Sequence, residues 1–200
     1  MRISTLVRCF ALAVLLAGCS DYYVYKGNIA LSRGDLAAAE RAYVQAPRSD
    51  TARLNLAVIR IRQGRLAEAA RLLEPLAAAG NPDPPVVYID PLTFTVTNSH
   101  DVARRNLSLV YSDLAAEQIG KADYDDGFNL SQRAIATDPG NLYAQFNLAV
   151  CVAKKGYPLW AATLFRKVAA SPRAKELKSA AGQTLYAMAE ARLAARPPAR

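Results

Sequence analysis

One pattern restricts this chain more than any other: a helical hairpin written more than once in the same register. Leu142 to Val168 reads LYAQFNLAVCVAKKGYPLWAATLFRKV, an apolar-periodic segment, a glycine break and a second periodic segment. Phe146, Val150 and Ala153, flanked by Leu142 and Ala149, give the first segment one apolar helical face. Lys154, Lys155 and Gly156 end that helix, with cations near its C-terminal dipole and glycine just past its last turn. Pro158 suits the first turn of the next helix, where the missing N–H costs nothing. Small Ala161 and bulky Leu164 and Phe165 then face back toward the first helix. The same order occurs upstream, where Asn55-Leu56-Ala57-Val58 precedes Gly64 at the spacing that sets Asn147-Leu148-Ala149-Val150 before Gly156. Ala69 and Leu73 follow Gly64 as Ala161 and Phe165 follow Gly156. Agreement over two helices and their turn predicts a repeat protein.

These residues resemble the tetratricopeptide repeat, a helix–turn–helix unit of 34 residues. The apolar position of its first helix is filled by Leu56, Leu114 and Leu148, and the small position after it by Gly27, Ala57, Ala115 and Ala149. The turn residue is Gly34, Gly64, Ala122 and Gly156. The small residue where paired helices touch is Ala39, Ala69, Gly127 and Ala161, and the following bulky position holds Tyr43, Leu73, Ser131 and Phe165. Pro139 alone matches the terminal proline, and the early aromatic is kept as Tyr23 and Tyr111 but is Arg53 and Gln145 elsewhere. Ala122 and Gly156 are 34 residues apart, Gly34 and Gly64 only 30. The resemblance covers about residues 22–79 and 103–195. It implies an all-α fold: a right-handed superhelical solenoid of four hairpins at about 22–48, 51–79, 108–139 and 142–171. A capping helix at 173–195 and an irregular insertion at 80–100 complete the expected layout.

The family's first helices line a concave groove that holds an extended peptide or a partner helix. The resemblance places Asn28, Leu54, Asn55, Val58, Ile61, Arg62, Tyr143, Phe146, Asn147, Val150 and Lys154 there. Asn55 and Asn147 fall where the family's carboxylate clamp uses an asparagine to hold peptide backbone, and Asn28 also fits a clamp position. The clamp's basic positions hold Val24, Leu109 and Asp113 instead, which argues against recognition of a C-terminal carboxylate. Helix caps or interhelical contacts are the alternative use for these asparagines.

The start of the chain is a secretory leader. Met1 to Gly18 carries Arg2 and Arg8, an apolar run from Phe10 to Leu16, then small Ala17-Gly18 before Cys19, too short for a stable bilayer-spanning helix. Leu16-Ala17-Gly18-Cys19 resembles the bacterial lipoprotein box. That resemblance implies lipid transfer to the Cys19 thiol, cleavage before it and acylation of the new N-terminus, with palmitate a usual chain. Ordinary cleavage with a free Cys19 is the alternative. Several acyl chains anchor stably where one is marginal. Ser20 in place of aspartate points to the periplasmic face of the outer membrane. Residues 19–21 form the lipidated end, and the repeat domain fills 22–200 with almost no tether.

Along the chain, helices are predicted from Tyr22 to Arg33 and from Leu36 to Gln45, with Pro47 as a stop. Ser49 or Asp50 caps the next pair, Thr51 to Gln63 and Leu66 to Ala79. Gly80 to His100 breaks the period with four prolines. Val86 to Ile89 and Thr93 to Val96 suit a short β-hairpin, either packed over a repeat edge or touching a partner. His100 reads as a loop residue, since no second metal ligand stands in spacing. Helices follow from Asp101 to Lys121 and from Tyr124 to Thr137. Asp123, Asp125 and Asp126 lack a calcium-loop spacing and read as helix-start charges. Cys151, the one thiol left after Cys9 departs and Cys19 is acylated, reads as a small buried hydrophobe.

No nucleophile elbow, Cys–His pair, zinc helix or phosphate loop is present, and the chain has a single histidine. No enzyme, cofactor or metal is therefore expected. Charge is uneven: residues 22–80 carry nine basic and five acidic side chains, 81–140 four and nine, 141–200 ten and two. A basic end on an envelope protein fits anionic phospholipid or an acidic protein partner, or is simply solvated; nucleic acid is not expected. The sequence as a whole predicts a non-enzymatic scaffold or assembly factor that docks another envelope protein or peptide and reaches the membrane through its lipid. Pilus-assembly and secretion lipoproteins are the nearest in kind. An envelope enzyme, or its regulatory subunit, is the alternative.

Overall fold

The computed structural model describes residues 20–79, 87–89, 96–172, 177 and 180–184. The leader, Cys19 and most of the expected capping helix at 173–195 lie outside the described residues, as does much of the insertion. The chain divides into two compact units, Met1–Asn106 and Leu107–Arg200. The first holds α1 (residues 20–32), α2 (Leu36–Val44), α3 (Asp50–Arg62), α4 (Leu66–Ala78), β1 (Val87–Ile89) and β2 (Val96–Asn98). Helix α5 (Ser99–Gly120) begins in the first unit and continues into the second, which adds α6 (Tyr124–Thr137), α7 (Leu142–Lys154) and α8 (Pro158–Ala170). This is the all-α hairpin architecture that the repeat register predicts.

All four hairpins turn by the same backbone device. In each, the residue in the left-handed region donates its N–H three residues back, and the next residue donates five back. Gly64 N reaches Ile61 O at 3.0 Å and Arg65 N reaches Arg60 O at 2.8 Å; Gly156 and Tyr157 repeat this onto Ala153 and Val152 at 3.1 Å each. Those bonds satisfy the last carbonyls of the first helix. The device needs positive φ, found at Gly34 (76°), Gly64 (71°) and Gly156 (88°). In the third hairpin Ala122 takes φ 61° in the same role. A side chain there crowds its own carbonyl, so this turn carries strain that the other three do not.

Packing inside each hairpin follows from small residues where the helices meet. Ala39, Ala69 and Ala161 are fully buried, as are Tyr43, Leu73, Phe165 and Ser131 at the following contact. The tightest approach is at Gly27. A Cβ there would lie 2.4 Å from Tyr43 Cε1, and the Tyr43 hydroxyl is itself held, donating to Asn28 Oδ1 at 2.7 Å. A mid-helix glycine ordinarily costs about 1 kcal/mol against alanine; here the ring leaves room for nothing larger. In the second unit, Leu148, Ala149, Val152, Phe165 and Val168 form one core with Ala181, and Leu177 packs against it. Those contacts are the part of the expected capping helix that falls among the described residues.

Two details of the insertion differ from expectation. The antiparallel ribbon pairs Val87 with Asn98 and Ile89 with Val96, so its second strand lies further along the chain than Thr93 to Val96. His100 is no loop residue. The Asn98 side chain accepts from His100 N at 2.9 Å, so α5 starts two residues earlier than Asp101. The ring is buried, with Nδ1 2.8 Å from Leu76 O.

Gly27→Ala is expected to lower stability by about 1–3 kcal/mol by forcing the held Tyr43 ring to move. Ala122→Gly is expected to raise it, by about 1 kcal/mol or less, since relief of the left-handed strain is partly offset by a looser unfolded chain. Urea unfolding of both variants checks the pair; a Gly27→Ala protein as stable as wild type would contradict the packing.

Candidate functional site

In the first unit the predicted groove residues separate by depth. Arg62 is exposed, and Asn28, Val58 and Ile61 are half-buried. Leu54 and Asn55 are interior, with 0% and 1% exposure, and present nothing to a groove. Asn55 Nδ2 donates to Asn28 Oδ1 and to the Tyr43 hydroxyl, both at 3.1 Å. The asparagines thus tie α3 to the hairpin before it, the interhelical use that was the alternative to a peptide clamp. A buried amide is costly unless bonded, which is why these groups are so placed.

An ion-pair cluster ties the same helices. Arg60 is 8% exposed and reaches Glu40 Oε1 at 2.7 Å on α2 and Glu68 Oε2 at 3.4 Å on α4. Gln63 donates to Glu40 Oε2 at 3.1 Å. The Arg60 bond, then that of Gln63, hold the Glu40 carboxyl down at about 2. This cluster is structural.

The second unit keeps more of the predicted set at the surface. Tyr143 and Lys154 are exposed, and Phe146, Asn147 and Val150 are half-buried along the same helix, α7. Phe146 meets Phe165 edge to face at 5.5 Å, and Asn147 Nδ2 donates to Ser112 O at 2.9 Å. Asn141 Nδ2 donates to the Ser108 and Ser112 hydroxyls at 2.8 Å each, so α7 is pinned to α5 by a ladder like that of the first unit. Cys151 is fully buried, and burial pushes its thiol up to about 11, which keeps it an unreactive hydrophobe. Among the described residues no three His, Cys, Asp or Glu side chains gather as a metal-holding group, and no helix is long and apolar enough to cross a membrane.

The feature that sequence reasoning missed lies just after the last turn. Tyr157, Leu159 and Trp160 are 57%, 65% and 46% exposed. Trp160 packs edge to face on Phe128 at 6.0 Å and on Tyr157 at 6.4 Å. Lys155 pairs with Asp125 and lies 5.2 Å over the Phe128 ring, which orders one edge of the patch. The fold does not require these side chains. After the other turns stand Asp35-Leu36-Ala37-Ala38, Arg65-Leu66-Ala67-Glu68 and Asp123-Tyr124-Asp125-Asp126. Asp35 and Asp123 there accept from backbone N–H groups as caps, whereas Tyr157 provides none. Arg65 provides no cap either; the legible signal is that only the fourth copy puts large apolar residues at the first, third and fourth of these positions. No acidic residue occurs between Asp138 and Glu176, while Lys154, Arg166 and Lys167 are exposed.

Residues 30–88 match the family profile described as Tetratricopeptide repeat. A crystal structure of a tetratricopeptide repeat protein from Parabacteroides merdae ATCC 43184 superposes with a TM-score of 0.54 at 16% identity, over 86% of this chain and 61% of that one. This chain therefore spans less than two thirds of that relative's length. A point mutant of MamA gives 0.48 at 19% identity over 85% and 88%. A thermophilic repeat protein in Thermus thermophilus gives 0.42 at 17% over 84% and 82%. No curated protein matches the chain. What the profile and the Parabacteroides structure share with this chain is the fold, a series of helical hairpins of the tetratricopeptide type.

The acid response of the Arg60 cluster is open to test. Glu40 has its carboxyl lowered by folding, so its stabilisation is full above about pH 4.5 and is lost as pH falls toward about 2. With a quarter of the side chain exposed, the contribution is on the order of 1–3 kcal/mol. Glu40→Gln is expected to be less stable at pH 7 and to show a shallower loss between those pH values. Parallel acid curves for the two proteins would contradict the assignment.

Proposed function

We propose that the protein is a non-enzymatic docking scaffold held by lipid on Cys19 at the periplasmic face of the bacterial outer membrane, serving an envelope assembly of the pilus or secretion type. The observation that carries the reading is the α7–α8 hairpin. It exposes Tyr143 on a segment free of carboxylates, together with Tyr157, Leu159 and Trp160, three positions where sibling hairpins place small or charged residues. Exposed aromatics grouped with cations mark binding hot spots, because a rigid ring buries much area for little ordering cost. The partner that fits is an envelope protein segment with an apolar anchor for the Trp160 patch and carboxylates for Lys154, Arg166 and Lys167. Support for the envelope comes from the leader and the Leu16-Ala17-Gly18-Cys19 box.

Two measurements test the halves separately. Metabolic fatty-acid label is expected on the wild-type chain and absent from Cys19→Ser; label retained on the variant would remove the anchor. A photocrosslinker at Leu159 in living cells is expected to capture one envelope protein, whereas one at exposed Arg41 does not. Trp160→Ala should reduce that capture by about 30-fold or more, as for a hot-spot residue, and charge reversal of Lys154, Arg166 and Lys167 should make the loss salt-sensitive. Equal capture from both sites, or capture indifferent to Trp160, would contradict the docking surface.

A further inference from the structure

The repeat register also shows what the first helix leaves uncovered. Tyr22 and Tyr25 of α1 align with Ala52 and Asn55 of α3 and with Ala144 and Asn147 of α7. In α3 and α7 this face is covered by the preceding hairpin: Ala52 and Ala144 are 1% and 0% exposed, and Asn55 and Asn147 donate across to it. Before α1 the sequence places the predicted leader and Cys19. Tyr22 and Tyr25 stand 58% and 65% exposed, with exposed Lys26 beside them, while Tyr23, Gly27 and Ala30 turn inward. Two large rings therefore occupy positions where α3 and α7 place a small residue and an asparagine.

We infer that this face of α1 lies in the lipid headgroup layer, an inference that rests on the lipid anchor at Cys19. The reason is distance. Helix α1 is already formed at residue 20, leaving no slack after Cys19. At about 1.5 Å per residue, Tyr22 and Tyr25 stand only about 5 and 9 Å along the helix from an acylated Cys19. The headgroup region on each side of a bilayer is about 5–8 Å deep. Tyrosine is the side chain suited to that layer, since its ring is apolar and its hydroxyl stays wet. Lys26 adds attraction to anionic headgroups and Asp21 opposes it. The rings then act as a second, non-covalent attachment that sets the angle at which α1 leaves the membrane, so the anchor is no free swivel.

The test uses the full-length lipidated protein in vesicles of phosphatidylethanolamine and phosphatidylglycerol. A Trp160→Phe background removes the sole native tryptophan. Tyr22→Trp, Tyr25→Trp and, as an exposed control on α2, Arg41→Trp are then compared by quenching with lipids spin-labelled at carbon 5 of the acyl chain. Intact-protein mass spectrometry reports the acyl chains in each sample. Quenching at least threefold stronger for Tyr22→Trp and Tyr25→Trp than for Arg41→Trp is the expected result. Equal or absent quenching with the acyl mass present overturns this inference alone. Absence of the acyl mass overturns it together with the anchor. Shielding that rises with protein concentration in detergent without lipid would assign the face to a second copy and overturn it as well.

Discussion

The structure depends on how closely the two helices of each hairpin approach. At Gly27 the approach is so tight that a single Cβ would strike the Tyr43 ring. Gly127 is nearly as confined, with a Cβ there 3.0 Å from Ile119 Cγ1 and 3.1 Å from Cys151 Sγ. Small residues let backbones meet, bulky ones at the next contact fill the space beside them, and the left-handed turn residue closes the hairpin without leaving carbonyls unbonded. Once these are fixed, other positions are free to vary. The polar ties between hairpins use different residues in the two units: Asn28, Tyr43 and Asn55 in one, Ser108, Ser112 and Asn141 in the other. They do the same job at different heights, because any buried donor must find an acceptor.

That division explains what could be read from the sequence. Hairpin boundaries were legible because turn glycines, apolar period and small contact residues are local, and Leu36, Tyr124, Leu142 and Pro158 begin helices where expected. Ala122 at a glycine position was legible as an exception. The depth of Leu54 and Asn55 was not: whether a first-helix residue faces a groove or a neighbouring hairpin depends on stacking against the preceding hairpin, which spacing alone does not encode. The early start of α5 escaped for a related reason, since an Asn98 cap and a carbonyl from Leu76 hold His100 inside. The Trp160 patch was written in the sequence but becomes visible only when hairpins serve as controls for one another.

Seen this way, function lies in the departures from the repeat. The fold tolerates aspartate, arginine or tyrosine after the turn, so the replacement of a cap by an exposed ring cluster reflects something other than folding. The comparison extends to α1, where two tyrosines stand in place of the alanine and asparagine of α3 and α7. Under the proposed function, one departure would be a contact for a protein partner and the other a contact for the membrane surface.

The most direct test of this account is an overpacking comparison within one helix. Ala161 and Ala170 both lie on α8, the first fully buried against α7 and the second exposed. If close approach of paired helices is the governing constraint, Ala161→Leu should lower unfolding free energy by about 1–3 kcal/mol or more, while Ala170→Leu stays within about 0.5 kcal/mol of wild type. Equal stability of the two variants would contradict the hairpin register on which the whole account stands.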